Sequence, residues 1–135
     1  MEPSTQRPLE LILARNLLSS LSTPAFLANG PGDIVFYNDA AAALLGRRFE
    51  ETGAMSAQDW VNSFGPIDDD GKPIPLDDQP MTAALRHNRP AHVRHRIRTS
   101  GGVPHAVEVS GMPVMGADGF QGAMVFFWLA AEDGS

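Results

Sequence analysis

The last strand-like run of the chain, "FQGAMVFFWLA" at Phe120–Ala130, is apolar on both faces. Side chains alternate along a strand, so the run divides into two sets. The sets are Val125, Phe127 and Leu129 on one face and Met124, Phe126 and Trp128 on the other. A strand that is apolar on both faces is covered on both faces. The run therefore predicts a sheet packed between two layers, with the N-terminal helix or a second subunit on one side and the middle helices on the other.

The two preceding runs are apolar on one face only. In "AHVRHRIRT", Ala91–Thr99, Val93, His95 and Ile97 share one face, and the basic residues share the other. In "HAVEVSGMPV", His105–Val114, one face is again the more apolar. A strand that is charged on one face suits the edge of a sheet, where charge discourages stray pairing.

The N-terminal half predicts a helix and a hairpin. The run "PLELILARNLLSSL", at 8–21, places Leu11, Ala14 and Leu18 on one stripe, which Leu21, Leu9, Leu13 and Leu17 extend and widen. Two short runs, "PAFLAN" and "DIVFYN", flank the turn "NGPGD" and are predicted to pair as a hairpin.

A sharp strand-to-helix corner follows at "YNDAAAALLG". Asn38 can end the strand and cap a helix by accepting from backbone N–H groups, and Gly46 suits a left-handed C-cap. Further helices are predicted at "SAQDWVNSF" and "QPMTAALRHN". The order of helix, two strands, helices and three strands indicates one α+β domain with an antiparallel sheet.

Composition excludes several classes of function. The 135 residues include no Cys, so disulfides, thiolate nucleophiles and Cys-ligated metals are absent. The net charge of −6 disfavours nucleic acid as a partner. No apolar run approaches the roughly 20 residues that span a bilayer, and the N-terminus does not resemble a signal peptide. We expect a cytoplasmic protein without a membrane partner. No motif for a nucleophile, phosphate loop or metal appears, so we do not expect an enzyme.

Four segments together resemble a PAS domain of the bacterial sensor type. They are "NGPGDIVFYNDAAAALLG", "DDGKPIPLDDQPMTAALRHNRP", "RIRTSGGVPHAVEVSGMPV" and "GADGFQGAMVFF". The resemblance implies a five-stranded antiparallel sheet, an N-terminal helix on its outer face, and helices that wall a cavity on its inner face. It also implies a flexible tail at 1–7, a cap helix at 8–21, the PAS domain at 22–131 and a tail at 132–135.

The resemblance implies a sensory and signalling module. A small molecule in the cavity would change the signal that the outer face passes to a partner protein or output domain. The chain ends at "WLAAEDGS" without the Asp-Ile-Thr-like triplet and signalling helix of many sensors. This departure leaves open whether the protein stands alone or belongs to a longer chain.

The ligand expected first is a small apolar molecule, such as a fatty acid, with its polar head near His95. The alternative for His95 is a core histidine that backbone or water satisfies. The predicted lining comprises Phe26, Ala28, Met81, Leu85, His95, Ile97, Val107, Val109, Val125 and Phe127. The same lining also suits a filled core without a ligand.

Two other functions remain open. A PAS module with a packed core would form a homodimer, or dock a partner, through an interface of Leu11, Leu18, Met124, Phe126 and Trp128. A haem-based gas or redox sensor would use His87, at the end of the helix that bears the iron ligand in haem PAS domains. A flavin adduct is excluded because it needs a Cys. The basic segment 86–98 either meets an acidic surface or an anion, or is a solvated edge strand that pairs with Glu108.

Overall fold

The computed structural model describes residues 9–99, 102–116 and 119–131. Its elements are α1 (Leu9–Ser19), β1 (Ala25–Asn29), β2 (Ile34–Tyr37), α2 (Asp39–Leu45), α3 (Phe49–Thr52), α4 (Ala57–Phe64), a 3₁₀ turn (Leu76–Asp78), α5 (Pro80–His87), β3 (Ala91–Arg98), β4 (Pro104–Gly116) and β5 (Gly119–Leu129). The predicted order is confirmed. The tails predicted at 1–7 and 132–135, and parts of the turns at 100–101 and 117–118, lie outside the described residues.

The strands form one antiparallel sheet in the order β2-β1-β5-β4-β3. The doubly apolar strand β5 lies at the centre, between β1 and β4. The Arg-bearing strand β3 lies at the edge, as its charged face predicts. The α+β class with an antiparallel sheet is therefore confirmed.

Each face of the sheet carries a separate apolar cluster. On the outer face, α1 packs on β1, β4 and β5. The buried side chains of this cluster are Leu11, Ala14, Leu18, Ala25, Leu27, Phe36 and Val114. On the inner face, α2, α4 and α5 pack over a larger cluster centred on Phe26, Trp60, Val125 and Phe127. The two layers that the sequence predicts are therefore present.

The cover of β5 is less complete than we expected. Val125 and Phe127 are buried on the inner face, but Trp128 is 39% exposed and Leu129 is 56% exposed. Trp128 points to the outer face, where α1 ends at Ser19 rather than at the predicted Leu21, whereas Leu129 points to the inner face. The N–H groups of Ser20 and Leu21 bond only three residues back, at 3.0 and 3.1 Å, which tightens and closes the last turn.

The strand-to-helix corner is built around the side chain of Asn38. Its oxygen accepts from the N–H of Ala41, at 2.9 Å, and of Ala25, at 3.1 Å. Its amide nitrogen donates to the carbonyls of Leu18 and Thr23, both at 2.9 Å. Asn38 thus caps α2, as predicted, and also ties the end of α1 to the start of β1.

Candidate functional site

A cavity lies between the inner face of the sheet and helices α2, α4 and α5. It offers about 40 Å³ to the centre of a water-sized sphere. Its walls are Phe26, Leu45, Trp60, Phe64, Gly65, Pro66, Gln79, Pro80, Met81, His95, Ile97, Val109, Val125 and Phe127. Pockets that enclose drug-sized ligands are typically about 300–1,000 Å³, so this cavity is small.

Most of the lining residues predicted from the sequence do face this cavity. They are Phe26, Met81, His95, Ile97, Val109, Val125 and Phe127. The other three predicted residues do not border this cavity. Ala28 and Val107 are completely buried in the core around it, and Leu85 is a partly buried residue at the margin of that core. The alternation of each strand gives the correct face, but the helices decide which part of that face borders the cavity.

Two aromatic residues of α4, Trp60 and Phe64, fill much of the inner space, and neither was predicted from the sequence. Trp60 lies 4.8 Å from Phe26 and 5.0 Å from Phe64, measured between ring centroids. Trp60 also meets the ring of Tyr37 edge-on at 5.7 Å. Their spacing of four residues on a helix capped by Ser56 was the available signal. The bulk of these rings explains the small cavity.

His95 is one of two polar side chains at the wall of this cavity, together with Gln79. Among the described residues, its Nε2 is the one buried side-chain nitrogen or oxygen without a hydrogen-bond partner. Burial lowers the pKa of His95 below its ordinary value of 6.5, and the negative charge of Asp78 opposes this shift. The lowered pKa favours the neutral form of the imidazole.

His95 also borders a second concavity, a groove of about 420 Å³ at the edge of the sheet. The groove lies beside the segment 67–69, which we call the strap. The strap pairs with β3 through two backbone hydrogen bonds between Ile67 and Arg96, at 2.8 and 3.2 Å. The Arg96 guanidinium binds Asp69 of the strap at 3.1 Å. His95 thus stands between the inner cavity and a groove open to solvent.

The outer face presents apolar side chains that α1 does not bury. Leu9, Leu13 and Leu17 recur every fourth residue along α1 and are 61%, 57% and 51% exposed. We call these three residues the α1 leucine stripe. Ile12 beside them is 41% exposed. The stripe lies on the side of the helix that faces away from the sheet.

The predicted interface residues divide into three groups. Leu11 and Leu18 are buried against the sheet of their own chain, so their assignment to an interface does not fit this packing. Met124 and Phe126 are partly buried against the same cluster. Trp128 alone of the five is exposed, and its ring lies 5.6 Å from that of His92. The wide apolar stripe of α1 misled the assignment because one side of the helix packs on the sheet and the other side is exposed.

The basic strand β3 has partners on its outer face. His92 and Glu108 form a contact at 2.8 Å between Nε2 and Oε1. In α5, which precedes the strand, Arg86 pairs with Asp77. The Arg94 side chain donates to the carbonyl of Ala131 at 3.0 Å. The predicted cross-strand role of Glu108 is therefore confirmed, and it is His92 that Glu108 binds.

His87 does not fit the role of a haem ligand in this structure. It is the last residue of α5, is exposed, and is not part of the cavity wall. The cavity is also far smaller than a haem or a fatty-acid chain. Within the described residues, no group of three or more His, Asp or Glu side chains could hold a metal ion. No helix in the described part of the chain is long and apolar enough to cross a membrane.

A single antiparallel sheet with one helix outside and a helix-walled cavity inside defines a class of small sensory domains. The family model described as the PAS fold matches residues 13–127. This chain belongs to the PAS family. PAS domains are in general sensory and signalling modules, and the resemblance noted in the sequence is confirmed.

Solved structures agree with this fold. The PAS domain of a two-component sensor histidine kinase is 20% identical, with a TM-score of 0.62 over 90% of this chain and 97% of that one. The PAS domain of nitrogen regulation protein NR(II) from Vibrio parahaemolyticus is 15% identical, with a TM-score of 0.62 over 87% and 98%. The light-state dimer of the fungal blue-light photoreceptor Vivid is 16% identical, with a TM-score of 0.60 over 81% and 78%. No curated protein sequence matches the chain.

Proposed function

We propose that this PAS domain is a dimerising signalling module, in which the α1 leucine stripe of one copy packs against a second copy. The observation that carries the proposal is the exposure of Leu9, Leu13 and Leu17 on one side of a helix whose other side is already buried. Burying one leucine side chain is worth about 1.5–3 kcal/mol, so a shared stripe would contribute substantially to association.

A second copy is the occupant that this surface favours. A stripe of three leucines along one helix is self-complementary about a two-fold axis, which is the commonest symmetry of soluble oligomers. The exposed side chains of Met112 and Trp128 extend the apolar surface onto the sheet. The fungal photoreceptor with the same fold was solved as a dimer, which supports the same assignment here.

The experiment compares Leu13→Glu with Val103→Glu by sedimentation velocity over a range of concentrations. Leu13 is 57% exposed on the stripe, and Val103 is 55% exposed before β4, away from α1. A charge that is buried without a partner in the interface should raise the dimer dissociation constant by at least about tenfold in Leu13→Glu. Val103→Glu should match the wild type. A monomeric wild type, or a Leu13→Glu dimer of unchanged affinity, would contradict the proposal.

A second function, sensing of a small molecule, is favoured by the cavity itself, whose mainly apolar wall includes the polar side chains of His95 and Gln79. A ligand bound in this cavity would change the positions of α5 and β3, and the sheet would pass this change on as a signal. The fatty acid expected from the sequence would need Trp60 or Phe64 to move, and haem would need a larger change. Native mass spectrometry, compared with the denatured mass, tests for any ligand that co-purifies. An extra mass that leaves on denaturation supports this function, and its size separates haem from a lipid.

The remaining expectations concern location and partners. A cytoplasmic location, a signalling protein or output domain as partner, and the absence of nucleic-acid and membrane partners stay predictions. The net charge of −6 supports the expectation about nucleic acid.

A further inference from the structure

One polar side chain lies in the middle of the exposed side of α1. Asn16 is exposed together with Ile12 and the α1 leucine stripe. At about 3.6 residues per turn, Asn16 lies about 20° around the helix axis from Leu9 and nearly opposite the buried Leu18. The Ser20 hydroxyl binds the backbone carbonyl of Asn16 at 3.3 Å, and no described hydrogen bond uses its side-chain amide. The fold therefore leaves this amide available to a partner.

A second copy that covers this side of α1 has to accommodate the amide. An amide that is buried without hydrogen bonds is destabilising, because it loses its bonds to water. The side chain of Asn both donates and accepts, so two Asn side chains can satisfy each other. A single Asn in an apolar seam between two helices can therefore set their register and orientation. Asn16 restricts the alignment of the two copies in a way that the leucines do not.

The possible alignments of the two helices treat this amide differently. In a parallel pair about a two-fold axis, each position of the seam faces its own copy, so Asn16 meets Asn16. In an antiparallel pair centred on Leu13, Leu9 faces Leu17 and the amide lies against leucines. An antiparallel pair centred on Asn16 would join the amides, but Leu9 would then project beyond the other helix, which ends at Ser19. The parallel alignment buries the stripe and also satisfies the amide.

We propose that Asn16 sets the alignment of the dimer: the two α1 helices lie parallel, with the two Asn16 amides hydrogen-bonded to each other at the two-fold axis. This inference rests on the proposed dimer and names the residue that determines its geometry. A two-fold axis along the helices places equivalent parts of both copies at the same level. The ends of the two β5 strands then lie on the same side of the dimer, where one partner can contact both copies.

Single cysteines test the alignment, because the chain contains no Cys. A disulfide forms when two Cα atoms lie within about 7 Å of each other. Under mild oxidation, Leu9→Cys should couple to itself at least about fivefold faster than Val103→Cys, which is similarly exposed but away from α1. In a mixture with ¹⁵N-labelled Leu17→Cys, the mixed disulfide should be the minor product by mass spectrometry. Leu9→Cys that couples no faster than Val103→Cys, or a predominant mixed disulfide, would overturn the alignment. A monomeric wild type would overturn the dimer as well.

Substitution of Asn16 itself supplies the second test. Asn16→Leu removes the polar group, so the dimer dissociation constant should fall at least about fivefold and the mixed disulfide should increase, since both alignments become acceptable. Asn16→Asp brings two carboxylates together at the axis and should raise the dissociation constant at least about tenfold. The matched control is Asn62→Asp, which changes an exposed asparagine of α4 and should match the wild type in sedimentation velocity. An Asn16→Leu variant with unchanged affinity and unchanged disulfide products would show that Asn16 does not set the alignment.

Discussion

At the scale of single residues, Asn38 joins three parts of the fold. Its oxygen satisfies the N-terminus of α2 and the start of β1, while its nitrogen holds the carbonyls of Leu18 and Thr23. Helix capping alone needs only the oxygen. The nitrogen therefore has a separate role, which is to fix the end of α1, and with it the α1 leucine stripe, to the sheet.

Asn38→Asp should separate these two roles. It keeps the capping oxygen and replaces both donated hydrogen bonds with a buried carboxylate that faces two carbonyls. We expect a loss of about 1–3 kcal/mol in urea unfolding and faster amide exchange in α1. Asn29→Asp is the matched control, because the described contacts of Asn29 use only its oxygen, which accepts from Gly32 and Asp33. Equal losses in the two variants would show that the donated bonds do not matter.

His95 leads to a second prediction, which concerns the pH dependence of the free energy of unfolding. Burial lowers the pKa of His95 below 6.5, so the unfolded chain binds a proton more readily than the folded chain. Stability should therefore fall as the pH drops below 6.5 toward the folded pKa, and this histidine should have no effect on it above that window. His95→Phe should lose less stability between pH 6.5 and 5 than the wild type in urea unfolding. Parallel curves for the two proteins would refute the neutral, buried imidazole.

At the scale of elements, the position of α5 depends on a glycine in β4. A Cβ atom at Gly111 would lie 2.9 Å from the carbonyl oxygen of Pro80 and 3.1 Å from its Cβ. Pro80 is the first residue of α5, so Gly111→Ala should push the helix off the strand and cost about 1–3 kcal/mol. Ser110→Ala, on the outer face, should change stability by less than about 0.5 kcal/mol. Thermal unfolding compares the two, and equal melting temperatures would show that α5 adjusts freely.

The strands and helices also show how much of the structure could be predicted from the sequence. Alternation along β3, β4 and β5 gave the inner and outer faces correctly, because strand geometry fixes this pattern locally. The Asn and Gly caps of α2 were also predicted correctly, since they depend on neighbouring residues. The cavity wall was predicted only in part. Which side chains of α4 fill the space depends on where that helix docks, so the rings of Trp60 and Phe64 could not be placed from their own segment.

The two faces of α1 show a second limit of prediction from the sequence. A stripe of leucines indicates that a helix packs on something, but it does not say whether the partner is the same chain or another one. Here Leu11 and Leu18 contact their own sheet, while Leu13 and Leu17 remain exposed. Only the three-dimensional arrangement separates the two sets, because both recur at helical spacing.

At the scale of the whole molecule, exposed apolar side chains occur both on α1 and on the outer face of the sheet. Met112 and Trp128 are 37% and 39% exposed there, on the same face that α1 partly covers. The inner cavity and this outer surface are connected by strand β5, which carries Val125 and Phe127 inward and Trp128 outward. A change at the cavity wall can therefore reach the outer surface across the thickness of one strand.

The last prediction tests whether the outer face of the sheet belongs to the dimer interface together with α1. Trp128→Glu places a charge on the outer face, and Leu129→Glu places one on the adjacent residue, which points to the other face and is 56% exposed. We expect Trp128→Glu to raise the dimer dissociation constant by about tenfold or more, because large aromatic residues dominate interface energies. Leu129→Glu should leave it unchanged. If Leu13→Glu gives monomers and Trp128→Glu remains a dimer by light scattering, the copies meet through α1 alone and the sheet surface is left for another partner.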